Sequence, residues 1–138
     1  MTKKIFEQLY DVYGFVRIHD DYVEVVPSDI LDCALSLKAN GYEYLDMITA
    51  SDHDEDFILT YTFKNLKEKD DVMIRTAVPR ENPELPSLSN DWIGADFQER
   101  ELYDLMGIIF TGHKNLKRIV LWDGFEGHPQ RKDYKNVA

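Results

Sequence analysis

Apolar residues recur at helical spacing in three parts of the chain and alternate with polar residues in several others. The helical pattern predicts helices over 2–13, between Ser28 and Gly41, and over 92–106. Alternation and strand-forming composition predict extended segments over 15–26, 42–49, 57–63 and 72–78, with shorter ones over 108–110 and 117–122. Ser28 and either Ser89 or Asn90 are expected to cap the second and third helices, because short polar side chains accept hydrogen bonds from free helical N–H groups.

This order of elements predicts a two-layer α+β domain. Consecutive strands in the middle of the chain favour antiparallel pairs, so we expect helices packed on a mixed, largely antiparallel sheet. A length of 138 residues fits one domain over 1–138. Within it we expect an α+β core over 1–106 and an irregular, glycine-containing C-terminal segment over 107–138.

Charge and cysteine content exclude several functional classes. A formal net charge of −10 argues against a nucleic-acid-binding protein, which would carry a basic surface. The single cysteine, Cys33, makes no intramolecular disulfide and cannot by itself hold an iron–sulfur cluster or a structural zinc. We expect its thiol to be a small buried apolar group.

One carboxylate interrupts the apolar face of the third helix. Glu99 falls on the face shared by Ala95 and Leu102. A carboxylate on a core-facing stripe is costly unless it is paired or hydrogen-bonded. We therefore expect Glu99 to be buried and paired with a cation from elsewhere, either Arg118 or Arg131.

The same helix carries a row of charged residues. Asp96, Arg100 and Asp104 lie at successive i+4 steps and can pair with one another. Glu99, Glu101 and Asp104 could also act as general acids or bases. We favour an ion-pair network that fixes the C-terminal segment on the domain, because no nucleophile or cofactor loop accompanies these carboxylates.

Histidines offer only a weak indication of a metal site. His113 and His128 each follow a glycine and could bind a metal, but we favour ring-nitrogen hydrogen bonds that order the glycine loops. The acidic turn at 52–56, which contains His53, lacks the ligand pattern of a calcium loop. We interpret this turn as solvated.

The C-terminal segment favours a partner protein. It has few apolar residues and several glycines, so ordering it costs conformational entropy. Trp122, Phe125, Arg131 and Tyr134 are of the types enriched at binding hot spots. The segment is therefore predicted to dock on another chain.

A longer set of residues in this region resembles the signature of one family. The set comprises Glu99, Arg100, Glu101, Asp104, Gly107, Ile108, Phe110, Gly112, His113, Leu116, Arg118, Ile119, Asp123, Glu126, Gly127, Pro129, Arg131, Lys132, Asp133 and Tyr134. It resembles the 30-kilodalton subunit of proton-pumping NADH:quinone oxidoreductase (complex I). The same family includes small subunits of energy-converting membrane-bound nickel–iron hydrogenases.

The resemblance implies a structural assembly subunit of a soluble arm, with no cofactor and no chemistry of its own. It implies docking on a hydrogenase-like large subunit, beside a small iron–sulfur subunit. Iron–sulfur clusters and a nickel–iron or quinone site are then expected in those partners. The implied location is the cytoplasmic side of the cell membrane, with membrane contact only through other subunits.

The residues at 99–104 would lock the helix to the C-terminal segment, and the signature from His113 to Tyr134 would order that segment and face the large subunit. Lys114 and Gln130 depart from the proline and leucine usual in the family. The short form of the chain after Tyr134 favours a hydrogenase or archaeal-type complex. Two alternatives remain: a stand-alone small enzyme using the Glu99 and Asp104 carboxylates, with or without a His-bound metal, or an acidic binding module with an unrelated partner.

Overall fold

The computed structural model describes residues 5–6, 17–19, 22–114, 116–117 and 127–133. Ile5 and Phe6 are helical and buried against the core, in the part of the predicted 2–13 helix that is described. The rest of that prediction lies outside the described residues, as does most of the predicted 117–122 strand.

Besides the helical residues 5–6, the described part of the chain forms seven strands, one 3-10 turn and two α-helices. Strand β1 (Arg17–Ile18), strand β2 (Tyr22–Glu24), a 3-10 turn (Pro27–Asp29) and helix α1 (Ile30–Ala39) come first. They are followed by β3 (Tyr44–Asp52), β4 (Asp56–Asn65), β5 (Asp70–Pro79), β6 (Glu84–Pro86), α2 (Ile93–Met106) and β7 (Ile109–Thr111).

Five strands form one mixed sheet in the order β1-β2-β5-β4-β3. Strands β3, β4 and β5 form an antiparallel meander, and β1 pairs antiparallel with β2. Strand β2 pairs parallel with β5, so Val23 lies opposite Ile74. Strands β6 and β7 form a separate parallel pair. The predicted α+β class and the largely antiparallel sheet are confirmed.

One face of the sheet forms the core, as the alternation predicts. The buried positions on the two central strands are Phe57, Leu59, Tyr61 and Phe63 on β4 and Val72, Ile74, Thr76 and Val78 on β5. The buried apolar side chains of both helices join the same cluster. Removal of this much apolar surface from water is the main stabilising term, at about 25 cal/mol per Å².

The free thiol of Cys33 lies in this core, on α1. Burial is the main cause that raises its pKa to about 12, with the nearby charge of Asp29 adding to the effect. The thiol is therefore protonated at neutral pH, which agrees with the expected role as a buried apolar group.

Both predicted helix caps are wrong. Ser28 lies inside the 3-10 turn, so α1 begins after Asp29, without a side-chain capping bond. The residue before α2 is Trp92, again without such a bond. Trp92 takes this position because its indole is buried and its Nε1–H donates to the carbonyl of Glu43 at 3.1 Å. Tertiary packing decides this helix start rather than a local cap.

The described part of the chain contains no helix of the length and apolar character that a membrane crossing requires.

Candidate functional site

The C-terminal segment returns to helix α2 and caps its last turn. The Nδ1 atom of His128 donates to the carbonyl of Asp104 at 2.9 Å. The backbone N–H of Gln130 donates to the carbonyl of Leu105, also at 2.9 Å. Carbonyls in the last turn of a helix have no intrahelical partner, so residues 127–133 satisfy groups that would otherwise need water.

Gly107 allows the segment to approach this closely. Its φ of 76° is left-handed, and its N–H donates to the carbonyl of Tyr103 at 2.9 Å, as in a glycine-terminated helix. A Cβ at this position would lie 2.9 Å from Cδ2 of the His128 ring. Gly107 therefore both ends the helix and leaves room for His128, as its place in the signature suggests.

A set of charged groups anchors the same segment to the β3–β4 turn. The carboxylate of Asp52 binds the guanidinium of Arg80 through Oδ1 and accepts the N–H of Lys132 through Oδ2 at 2.8 Å. Nη1 of Arg80 lies 2.9 Å from Oδ2 of Asp133. We call Asp52, Arg80, Arg131, Lys132 and Asp133 the clasp.

Arg131 completes the clasp from within the segment. Its Nε and Nη2 bind the two carboxylate oxygens of Asp133 at 2.8 and 3.0 Å. Its guanidinium also lies 5.1 Å from the centroid of the Phe57 ring, and that of Arg80 lies 5.0 Å from the same centroid. These cation–π contacts join the ionic clasp to the apolar core.

The clasp shifts the pKa values of its carboxylates. Partial desolvation acts to raise the pKa of Asp52, but hydrogen bonds from Arg80, Lys132 and the N–H of Asp54 together lower it well below its usual range. Hydrogen bonds from Arg131 are the largest cause that lowers the pKa of Asp133, with a further contribution from Arg80. Both groups are therefore ionised at neutral pH.

Glu99 is completely buried, as predicted, but its partners are neutral. One oxygen accepts the hydroxyl of Ser87 at 2.5 Å, and the other accepts the N–H of Leu88 at 2.7 Å. The predicted pairing with Arg131 is wrong, because Arg131 binds Asp133; Arg118 lies outside the described residues. Two neutral donors satisfy the carboxylate without the desolvation of a second full charge.

Burial is the main cause that raises the pKa of Glu99. The hydrogen bonds from Ser87 and Leu88 oppose that shift, and so does the nearby His113. Glu99 thus holds the loop before α2 against the helix, and its proton affinity is increased by the core around it.

The remaining charged residues of α2 divide into paired, buried and exposed groups. Nη1 of Arg100 lies 3.8 Å from Oδ1 of Asp96, which confirms that predicted i+4 pair. Asp104 is buried and Glu101 is exposed. Nε2 of His113 lies 3.1 Å from Oδ1 of Asp96. Both histidines thus make the ring-nitrogen contacts that the sequence predicted, His113 to Asp96 and His128 to the carbonyl of Asp104.

The described residues contain no group of three or more side chains that could hold a metal ion. Phe110 is buried in the core, and Gly112 has a left-handed φ of 85° at the turn that leads to His113. The signature residues Arg118, Glu126 and Tyr134 lie outside the described residues, together with Trp122 and Phe125.

The prediction that the acidic turn at 52–56 is solvated is wrong for Asp52, whose side chain is only 4% exposed. Its cationic and N–H partners come from positions 28 and 80 residues later in the chain. One indication was present in the sequence: an antiparallel meander brings the end of the third strand and the residue after the fifth to the same end of the sheet. The return of the C-terminal segment had no such local signal.

Comparison with known proteins places the chain in a family. The family model described as "Respiratory-chain NADH dehydrogenase, 30 Kd subunit" matches residues 23–138. A chloroplast NAD(P)H-quinone oxidoreductase subunit of Chaetosphaeridium globosum is 38% identical over 127 residues, covering 88% of this chain and 76% of the relative. An NADH-quinone oxidoreductase subunit of Moorella thermoacetica is 40% identical over 115 residues, covering 80% and 78%.

Two solved structures share the fold. A trypsin-resistant fragment of Nqo5 superposes with a TM-score of 0.71 at 28% identity, covering 81% of this chain and 99% of the fragment. A chain of the membrane-bound sulfane sulfur reductase, an archaeal respiratory membrane complex, gives a TM-score of 0.80 at 23% identity, covering 96% and 84%. With the family match over 23–138, the chain belongs to the respiratory-chain NADH dehydrogenase 30 Kd subunit family.

Proposed function

We propose that this chain is a non-catalytic assembly subunit in the soluble arm of a complex I-like membrane-bound oxidoreductase, where it docks on the hydrogenase-like large subunit. The observation that carries the proposal is the family match over residues 23–138. The relatives at 38% and 40% identity are named as quinone oxidoreductase subunits, which favours that branch over a hydrogenase. A family member of this kind has the other subunits of a respiratory complex as partners.

The geometry of the signature residues supports a structural role. Arg131, Lys132 and Asp133 bind groups of their own chain, and the buried Glu99 is satisfied by the loop before α2. His128 caps a helix carbonyl. These residues hold a defined surface in place, which is what an assembly subunit requires.

The proposal assigns the redox chemistry to other subunits. Iron–sulfur clusters would lie in a small iron–sulfur subunit, and a quinone site would lie in or beside the large subunit. This chain would bind no cofactor itself. It would lie on the cytoplasmic side of the cell membrane and contact the membrane only through its partners.

A stand-alone enzyme using Glu99 and Asp104 has less support. Both side chains are completely buried, and both carboxylate oxygens of Glu99 already accept hydrogen bonds. A general acid or base must lie within hydrogen-bond reach of the substrate. The oxygens of Glu99 are instead engaged by the loop that this side chain supports.

The proposal is tested by purification of the chain, with an affinity tag, from its native host in mild detergent, followed by mass spectrometry. We expect the hydrogenase-like large subunit and an iron–sulfur subunit in near-stoichiometric amounts. Recovery of the chain as a free monomer, in cells that contain the other subunits, would contradict the proposal.

A further inference from the structure

Helix α2 has a covered half and an uncovered half. Residues 127–133 cap its C-terminal end. Its N-terminal half presents Ile93, which is 92% exposed, and Phe97, which is 65% exposed. The two positions are one turn apart, so their side chains lie on the same face and form one apolar surface, which we call the α2 patch.

Among the described residues, the three most exposed large apolar side chains are those of Ile93, Leu66 and Phe97, and Ile93 and Phe97 are adjacent on one helix face. Single exposed apolar residues are common on soluble proteins. Leu66, which is 68% exposed, is of that kind, because it lies on the β4–β5 turn. The α2 patch instead sits on a regular helix, whose backbone presents both side chains in a fixed geometry, and this is a common form of helix-in-groove recognition.

The exposed charged residues on α2 and just before it are acidic. Asp91 and Glu101 are exposed, and the side chain of Asp96 is 39% exposed. The guanidinium of Arg100 lies 5.5 Å from the centroid of the Phe97 ring, but its side chain is only 11% exposed and faces Asp96. This cation is therefore largely covered, and the exposed charged residues between positions 91 and 106 are Asp91 and Glu101, both acidic.

Lys38 is another cation near this surface, and two contacts fix its position. Its Nζ donates to the carbonyl of Asp91 at 3.0 Å and lies 5.1 Å from the centroid of the Trp92 ring. These contacts hold Lys38 beside the start of α2 rather than over Ile93 or Phe97. A formal net charge of −10 for the whole chain adds to the negative character of the rim.

We infer that the α2 patch is the surface that docks on the large subunit of the same complex, through an apolar pocket of that subunit edged by lysine or arginine. This inference rests on the proposed assembly function and names the surface through which it acts. An apolar centre with a complementary charged rim is the usual anatomy of a specific interface. The clasp stays closed in this arrangement, because docking through Ile93 and Phe97 uses none of its groups.

The first test compares full-length tagged variants in the native host. The double variant Ile93→Ser/Phe97→Ser is expected to recover about tenfold less of the neighbouring large subunit than the unmodified chain. The matched control Leu66→Ser removes a similarly exposed apolar side chain elsewhere and is expected to recover the unmodified amount. Thermal unfolding of each purified variant checks that the fold is intact.

The outcomes of this test separate the two proposals. Normal recovery of the large subunit by the double variant overturns the docking surface and leaves the assembly function standing. Failure of the unmodified chain to recover any subunit overturns the assembly function and the docking surface together.

The second test identifies what lies on the patch. A photo-crosslinking amino acid is placed at position 97, with position 66 as the control. Crosslinks from position 97 to apolar residues beside lysine or arginine on another subunit support the inference. Crosslinks only to residues 118–126 or 134–138 of the same chain, or only to a second copy, overturn it.

Charge reversal tests the rim separately. Asp91→Lys/Glu101→Lys is expected to reduce recovery of the large subunit several-fold at low ionic strength, with a smaller reduction at high salt because screening weakens the interaction. If the variant recovers as much large subunit as the unmodified chain at both salt concentrations, the basic character assigned to the partner is overturned.

Discussion

Arg80 and Asp133 form an ion pair, with 2.9 Å between Nη1 and Oδ2, that fastens the C-terminal segment to the end of the β-sheet. The same guanidinium binds Asp52 on the β3–β4 hairpin. Arg80 thus connects two carboxylates that lie far apart in the sequence. Two ionised partners compensate for the low exposure of its side chain, which is 16%.

Replacement of Arg80 should release the segment without unfolding the domain. We expect Arg80→Met to increase amide hydrogen exchange several-fold over residues 127–133 while the exchange of β4 stays slow, because the core does not depend on the clasp. Mass-spectrometric exchange measures both regions in one experiment. Glu81→Gln, at the exposed neighbouring position, is the control. Equal exchange in the two variants would show that Arg80 does not hold the segment.

The clasp should also make stability depend on pH in acid. Because the folded pKa of Asp52 lies below its ordinary value of 3.8, its contribution is fully present above that value and is lost as the pH falls through the folded pKa. The pKa of Asp133 is shifted in the same direction. We expect the unmodified chain to have a higher melting temperature than Asp52→Asn at pH 7, and this difference to shrink progressively as the pH falls below about 4. A gap that stays constant down to pH 3 would contradict this assignment.

Glu99 should have the opposite pH dependence. Its pKa is raised above the ordinary value of 4.5, so the folded state binds the proton more tightly than the unfolded state does. The resulting stabilisation is fully present below about pH 4.5 and is lost as the pH rises through the folded pKa. At pH 4 we expect Glu99→Gln to lower the free energy of unfolding by about 0.5–1.5 kcal/mol, through poorer hydrogen bonds, without abolishing the fold. The deficit should shrink as the pH rises, because Gln does not ionise.

Glu99→Ala is the stricter comparison for the same site. It removes both acceptors and leaves the N–H of Leu88 buried without a side-chain partner, which costs about 1–3 kcal/mol. Chemical denaturation at several pH values measures both variants. A deficit of Glu99→Gln that grows with pH would reverse the sign and refute the raised pKa.

Alanine should change the free energy of unfolding in opposite directions at Gly94, within α2, and at Gly107, directly after it. Gly107→Ala places a Cβ in a left-handed conformation and 2.9 Å from the His128 ring, so we expect a loss of about 1–2 kcal/mol or more. Gly94→Ala adds a Cβ with no atom within 4 Å and should gain about 0.5 kcal/mol from a better helix-forming residue. The free energies of unfolding in urea provide the comparison. Equal effects at the two positions would contradict the close packing of His128.

Periodicity predicted the part of the fold that depends on burial. The alternation from Phe57 to Phe63 identified both the strand and its core face, because a half-buried strand repeats every two residues. The position of Glu99 on an apolar helix face likewise predicted its burial. Helix starts were less predictable, because the buried indole of Trp92 outweighed the local capping preference of Ser89 and Asn90.

Partners outside the local helix or turn account for the errors at the site. The neutral donors to Glu99 lie in the preceding loop, at Ser87 and Leu88, where nothing in the sequence favoured them over an arginine. The sequence predicts an exposed Asp52 because its partners, Arg80 and the N–H of Lys132, come close only after the chain has folded back. Such contacts depend on tertiary topology, which local patterns do not specify.

The strand order β1-β2-β5-β4-β3 also favours one order of events during folding. The meander β3-β4-β5 closes through short turns, so its loop-closure entropy is small and it can form early. Strand β2 must instead find β5 across helix α1 and the whole meander, and its parallel register leaves no hairpin to guide it. The late, rate-limiting step is therefore expected to be the capture of β1 and β2 by an edge of β5 that is already in place.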